Sequence, residues 1–301
     1  MTIVALTPEW YAARRLGIGA SEVACLFGAD PYRTETELYA VKVGRVPDVE
    51  TEEMRMGRLL EPFLLDLFRA SLPGVIVWPD QTMRADNDSP HLFATPDGGY
   101  LRGVPDDHVD EKGPARGRIE TKATSEPERS DGAAPLRWVL QGMAQMACSN
   151  ERHTKVAVLY QSTRFRIHDV PRNDAVIAAI RERVESWWWR YVRKGEIPRE
   201  PGKPIPMELL RQIYPEEVPG KTVVLPPEAE RWDDEIARLD AEIKKAKRHR
   251  DEYKSWIAEA IGDAESGTIP GRRGRWRWKV QEREEHVVKE GASRQLRRLV
   301  K

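Results

Sequence analysis

The hydrophobic period of this chain changes twice, and that change limits its fold more than any other feature. Between residues 51 and 71, Met54, Leu59, Leu60, Phe63, Leu64, Leu67 and Phe68 recur at three- and four-residue spacing, the stripe of an amphipathic helix. Beyond Pro73 the period shortens to two, and Val75–Trp78, His91–Thr95 and residues 117–124 read as strands. The helical period returns over 135–149. A strand over Lys155–Tyr160, a hairpin partner over Thr163–Val170 and a strong helix over 173–194 follow. Shorter helices are expected over 7–16, where Thr7 and Pro8 make a start signal, over 21–28 with Ser21 as its cap, and over 34–43. Helices, then strands, then strands and helices in turn describe an α/β domain over residues 1–197.

Eight prolines between residues 198 and 227 interrupt regular structure and mark a linker or wrapping segment. The rest, 228–301, reads as a helical, coiled-coil-like appendage with short terminal strands near Trp276–Val280. From Glu228 to Ile261, Trp232, Ile236, Leu239, Ile243, Ala246, Tyr253, Ile257 and Ile261 hold the three/four spacing, with Arg250 the polar seam position. That pattern expects one helix, or a pair, packed on a partner.

Composition removes several function classes. The 301 residues hold 49 Lys and Arg against 49 Asp and Glu, so any nucleic-acid surface must come from local clustering rather than bulk charge. Residues 1–100 carry a net charge of −6, and each of the following two thirds +3. The acidic third suits carboxylates that hold metal ions. The later basic residues gather at 244–250 and 272–279, as solvated faces or as phosphate-contacting patches. Two cysteines, Cys25 and Cys148, are too few for a disulfide framework or a four-thiolate metal site. No apolar run of about 18 residues occurs, and residues 1–10 carry no basic-then-apolar leader, so the expectation is a soluble, cytoplasmic chain without a membrane span.

The chemistry-bearing pattern is Pro96-Asp97-Gly98-Gly99 followed by Glu120-Thr121-Lys122. On a strand, Glu120 and Lys122 share one face and Thr121 takes the other. Asp97 is expected at the end of a neighbouring strand, at a Gly-rich bend. Two carboxylates and an ammonium converging there can hold a hard divalent cation through oxygen, activate a water and offset charge on a phosphodiester. Glu61, on the preceding helix, is a further oxygen donor. Taken singly, a Glu-x-Lys strand and a Pro-Asp-Gly turn are common surface features. Their co-occurrence in this order is what gives them weight.

The constellation resembles the PD-(D/E)xK nuclease superfamily, and the wider motif order is similar to the YqaJ-type viral recombinase nucleases, the family that includes phage lambda exonuclease. The resemblance runs through Arg15-Leu16-Gly17-Ile18-Gly19-Ala20-Ser21-Glu22, Gly57-Arg58-Leu59-Leu60-Glu61-Pro62, His91 to Gly98, Ile119 to Lys122, and the helix segment Gln141 to Met146. It implies a restriction-endonuclease-like core, a central mixed sheet flanked by helices. It implies that Glu61, Asp97, Glu120 and the carbonyl of Thr121 hold Mg2+ or Mn2+, and that Lys122 assists the attacking water. Arg15 and Ser21, with Arg14 an equally near candidate, would bind a terminal 5′ phosphate, Arg by bidentate contacts. Gln141 or Gln145 would touch the substrate. One departure is Met143, which stands where members of the family often carry the second Gln of a Gln-x-Gln pair.

The implied activity is a metal-dependent 5′→3′ exonuclease on double-stranded DNA ends that leaves 3′ overhangs. The implied partners are a single-strand annealing protein and identical subunits in a ring trimer, in the bacterial cell that hosts a phage or prophage. The competing readings are an endonuclease or repair nuclease on the same fold, and a non-catalytic DNA-binding scaffold. His91 reads as structural, and the two cysteines as inert thiols. Of Trp187, Trp188 and Trp189, one or two belong to the core, since successive helical residues turn by about 100°.

Overall fold

The computed structural model describes residues 7–102 and 116–278, together with the backbone of 109–110 and 113–114. It separates into two compact units, residues 1–215 and 216–301.

The first unit opens with α1 (Pro8–Arg14), whose cap is Thr7, accepting the Trp10 N–H on its side chain. A two-residue strand β1 (Ile18–Gly19), a 3-10 turn (Ala20–Glu22) and the short α2 (Val23–Leu26) replace the longer helix expected over 21–28. Gly19, not Ser21, stands at the cap, and the Glu22 carboxylate reaches back to the Gly19 N–H at 2.8 Å. Gly17 is required just before it: a Cβ there would lie 2.4 Å from the His91 carbonyl oxygen. Next come α3 (Glu35–Lys42), with Thr34 and Glu37 forming a reciprocal cap, and α4 (Glu52–Ser71). Only Leu64, Leu65 and Phe68 of α4 are buried. Met54, Leu59 and Phe63 of the expected stripe are about half exposed, because just the C-terminal half of the helix lies on the sheet.

The strands are β2 (Val75–Pro79), β3 (Arg84–Ala85), β4 (Leu92–Ala94), β5 (Gly98–Arg102), β6 (Val109–Asp110), β7 (Gly113–Pro114) and β8 (Arg116–Thr124). Then come α5 (Leu136–Ser149), β9 (His153–Tyr160), β10 (Arg164–Pro171) and α6 (Asp174–Trp187), which runs into a π-helical turn (Trp188–Arg193). Trp187 and Trp188 are buried and Trp189 is exposed, as the helical turn angle requires.

The main sheet has five strands in the order β10-β9-β8-β5-β2. Only β8 and β9 are parallel, joined through α5; the other neighbours are antiparallel, so the sheet is mixed. Its two faces bury different residues, as the period of two demands. Val156, Val158 and Tyr160 join the larger cluster with α2, α5 and α6. Ile119 and Ala157 join Leu65, Phe68 and Tyr100 beneath α4. This α/β arrangement, a mixed sheet flanked by helices, is the one that the motif order leads one to expect. A second small sheet sets β1 parallel to β4 and β3 antiparallel to it, which ties the Gly17–Glu22 turn to the strand just before Asp97.

The first unit continues past residue 197. In the Pro-rich stretch, α7 (Met207–Ile213) buries Leu209 and Ile213 against Ala40 of α3, so 198–215 wraps onto the unit and does not act as a linker. In the second unit, α8 (Glu228–Ile261) is one continuous helix of 34 residues. β11 (Ser266–Thr268) and β12 (Arg275–Arg277) form an antiparallel ribbon. The expected strand residues 279–280 lie outside the described residues. Among the described residues no helix is long and apolar enough to cross a membrane.

Candidate active site

Antiparallel pairing of β5 with β8 sets Gly98 opposite Ile119, so the next step out along β5 brings Asp97 beside Glu120. Asp97 therefore stands just before the start of β5, not at a strand end. On its other edge, β5 needs a bare glycine opposite β2: a Cβ on Gly99 would lie 2.4 Å from the Trp78 ring. One Asp97 carboxylate oxygen, Oδ2, accepts the Thr121 backbone N–H and the Thr121 hydroxyl, both at 2.7 Å. Thr121 leaves the strand on the face opposite Glu120, as the alternation requires, and its short side chain still reaches Asp97.

Glu120 is buried, and its carboxylate is held from three sides. Lys122 Nζ donates to Oε1 at 2.7 Å, Gln141 Nε2 to the same oxygen at 2.6 Å, and Gln145 Nε2 to Oε2 at 2.5 Å. Gln141 and Gln145 are one helical turn apart on α5, on the face turned to the sheet. Gln141 lines the open cleft, whereas Gln145 is 0% exposed behind Glu120 and cannot touch a substrate. Of the two glutamines left open by the sequence, Gln141 is the one that reaches the cleft.

Glu61 continues the stripe of Leu64, Leu65 and Phe68 one turn toward the N-terminus of α4, which carries it to the same cleft. Gln81 Nε2 donates to its Oε2 at 3.2 Å. The carboxylates feel one another. Burial and then the Glu120 charge push the Glu61 carboxyl up to about 6. Burial, then Glu120 and Glu61, push Asp97 well above the ordinary carboxylate range. Lys122 would be pulled down by burial, but Glu120 and Asp97 outweigh that and raise it. Three acids around one ammonium leave the site short of positive charge.

The cleft rim is built from β1 and the α1 helix. Trp10 Nε1 donates to the Thr95 hydroxyl at 3.0 Å, and the Arg14 guanidinium lies 4.7 Å over the Trp10 ring. Ser21 and Arg14 line the cleft with Glu61, Asp97, Glu120, Lys122 and Gln141. Arg15 is exposed and does not line it. The structure thus separates the two adjacent arginines that the sequence left equivalent, because α1 ends at Arg14 and turns the following side chain outward.

Beneath Arg14 lies a feature that the sequence reading missed. Glu22, 4% exposed, accepts from Lys42 Nζ at 2.6 Å, from Arg14 at 2.9 Å and from the Gly19 N–H. Lys42 also donates to the Arg14 carbonyl at 2.8 Å. Burial raises the Glu22 carboxyl, but Lys42 and Arg14 hold it at about 2. Only long-range packing brings α3 under this turn, so no local signal marked Lys42. His91, read as structural, pairs through Nδ1 with Glu185 at 2.6 Å and stacks on Trp188. Cys25 is buried, and burial pushes its thiol far up, away from nucleophilic use.

In donor chemistry the site fits a hard divalent cation: all the candidate ligands are oxygens, and crowded, partly buried carboxylates gain from a positive charge between them. Among the described residues, no three His, Cys, Asp or Glu side chains are grouped closely enough to form a ready-made ion cage.

The model of the YqaJ-like viral recombinase domain matches residues 9–152, a span that contains the cleft residues from Trp10 to Gln141. Over residues 9–152 the chain is similar to that family. Uncharacterized protein YqaJ of Bacillus subtilis (strain 168) is 24% identical over 282 residues, covering 91% of this chain and 84% of its own. Among solved structures, an alkaline exonuclease (LHK-Exo) from Laribacter hongkongensis overlaps with a TM-score of 0.48 at 22% identity, over 62% of this chain and 94% of its own. A phage-related exonuclease from Haemophilus somnus 129PT overlaps with a TM-score of 0.45 at 13% identity, over 62% of this chain and 99% of its own. The matched span ends between α5 and β9 and leaves β9, β10, α6, α7 and the whole second unit outside it.

Proposed function

We propose that this protein is a metal-dependent DNA exonuclease that degrades one strand of duplex DNA in the 5′→3′ direction and leaves a 3′ overhang. The observation that carries this reading is the meeting of Glu61, Asp97, Glu120 and Lys122 in one cleft whose rim bears Arg14 and Ser21. Mg2+ or Mn2+ would be held by Asp97, Glu120, Glu61 and the Thr121 carbonyl, and it would polarise the scissile phosphate and lower the pKa of a bound water. The chain's own residues divide the remaining work. Lys122 orients the attacking water and offsets charge that builds on the phosphate. Gln145 and Gln141 fix the Glu120 carboxylate, and Thr121 fixes that of Asp97. Arg14 and Ser21 receive the terminal 5′ phosphate, the group that distinguishes an end from the middle of a strand. The overhang would pass to a single-strand annealing protein, and identical subunits in a ring would keep the enzyme on its strand.

One observation favours the endonuclease reading. Arg14 is already bound by Glu22 at 2.9 Å and Asp48 at 3.3 Å, so it reaches a phosphate only by sharing its guanidinium. The deciding experiment is an assay on linear duplex with each strand end-labelled, with Mg2+ and with EDTA, beside closed circular duplex. Metal-dependent loss of the 5′-ended strand, with the circle spared, is expected. Equal digestion of the circle would replace the exonuclease by an endonuclease, and no metal-dependent loss of either would leave a DNA-binding scaffold. Asp97→Ala and Lys122→Ala should each abolish cleavage while a gel-shift assay still detects the complex; turnover in either variant would mean that the site lies elsewhere.

A further inference from the structure

α8 spans about 51 Å at 1.5 Å per residue, and none of its residues is buried. Trp232, Ile236, Leu239, Ile243 and Tyr253 on its apolar stripe are between 43% and 61% exposed. The stripe keeps an unbroken seven-residue repeat. Ile236, Ile243, Arg250 and Ile257 fall on one seam position, and Trp232, Leu239, Ala246 and Tyr253 on the other. A period of 3.5 belongs to a left-handed coiled coil and not to a helix lying on a globular core.

Charge says what covers the stripe. Residues 228–242 carry seven acidic and two basic side chains, and residues 244–254 carry six basic and two acidic ones. The helix is therefore negative in its first half and positive in its second. The positions that flank the seam follow the same division: Asp233 and Asp240, then Lys247 and Lys254, recur every seven residues along one side.

We infer that α8 pairs with α8 of a second copy of this chain, and that the two helices run antiparallel. Centred between Ile243 and Ala246, that pairing sets Ile243 against Ala246 of the second copy, Ile236 against Tyr253, Ile257 against Trp232 and Arg250 against Leu239. Large residues meet small or medium ones in the two central layers, and the Arg250 arm can lie along Leu239 with its head in water. The same register sets Asp240 against Lys247 and Asp233 against Lys254, so opposite charges flank the seam on one side for its whole length. A parallel pair stacks Arg250 on Arg250, and it sets Glu228 against Asp233 and Glu235 against Asp240, like against like, with Glu242 against Lys247 as its one attraction between carboxylate and ammonium at these flanking positions. The pairing is independent of the proposed reaction, since it uses no cleft residue.

The test uses the full chain and charge reversal. Asp240→Lys and Lys247→Asp each turn two symmetric attractions into repulsions, and each should weaken self-association about tenfold in sedimentation equilibrium. The double variant Asp240→Lys/Lys247→Asp exchanges the charges and should restore the parent value. To read orientation, Trp232→Cys and Ile257→Cys proteins are treated with a short bis-maleimide, separately and mixed, and the linked peptides are identified by mass spectrometry. A 232–257 link in the mixture, with no 232–232 or 257–257 link in either protein alone, is expected. A chain with no α8–α8 association, single and double variants that weaken alike, or 232–232 links would each overturn the inference. All the substituted residues lie on the helix that buries nothing, so the fold of the first unit is not at stake.

Discussion

Replacing Glu22 by Gln tests how the cleft rim is supported. Glu22 and Lys42 are 4% and 1% exposed at their side chains, and they meet at 2.6 Å. Removing the carboxylate leaves the Lys42 ammonium in the interior with no negative group of its own, a change that costs roughly 3–5 kcal/mol for a buried pair. Linkage gives a similar figure. A carboxyl moved from 4.5 to about 2 contributes roughly 3 kcal/mol, taking 1.36 kcal/mol per pKa unit. The sign follows from the depressed folded value. The contribution is fully present above the unfolded value of 4.5 and disappears as the pH falls toward 2. At pH 7, Glu22→Gln should lower the urea-derived stability of the first unit by about 3–5 kcal/mol, and its melting temperature by about 10 °C. Between pH 4.5 and 2 the variant should lose less stability than the parent, because this group no longer titrates. A second variant, Glu22→Leu/Lys42→Met, removes both charges and should recover much of the loss. A Glu22→Gln protein within 1 kcal/mol of the parent at pH 7, with an unchanged acid profile, would refute the buried pair.

Three further outcomes follow from the geometry. Gln145→Leu should leave the fold intact but lower turnover roughly 10- to 100-fold with little change in KM, because Glu120 loses a partner that orients it and the substrate contacts stay; an unchanged kcat would remove Gln145 from the site. Arg14→Ala should erase the preference for 5′-phosphorylated over 5′-hydroxyl ends, and Arg15→Ala should keep it, as measured by initial rates on the two duplexes; the reverse result would mean that α1 ends differently from the structure described above. Burial and Lys155 lower the His153 imidazole from 6.5 to about 4, so the fold favours its neutral form, and stability is lost as the pH falls through that window. His153→Gln should flatten the stability profile between pH 6.5 and 4, and an unchanged slope there would assign the acid sensitivity to other groups.

The site was legible in the sequence where it depends on local order. A strand of period two makes Glu120 and Lys122 neighbours, and the glycines after Asp97 announce a backbone that must run close to another strand. Glu61 stood in the Gly57–Pro62 segment, on the helix just before the strands. What the sequence left open were choices between near-equivalents. Arg14 and Arg15 differ by about 100° around α1, and only the docking of that helix on Thr95 decides which one faces the cleft. Gln141 and Gln145 share a helix face, and the depth of burial, 8% against 0%, separates the one that can meet a substrate from the one that cannot.

The sequence by itself determined the type of the longer helices and of the strands β2, β4, β8, β9 and β10, the α/β order and the carboxylate–ammonium pattern, because period and turn chemistry act over a few residues. The tertiary structure alone decided that Lys42 lies beneath Arg14 and Glu22, and that α7 wraps onto the first unit. It also decided which flanking side chains reach the cleft. Those outcomes depend on contacts between residues far apart in the chain, where burial and ion pairing are set by which surfaces meet rather than by the character of any one segment.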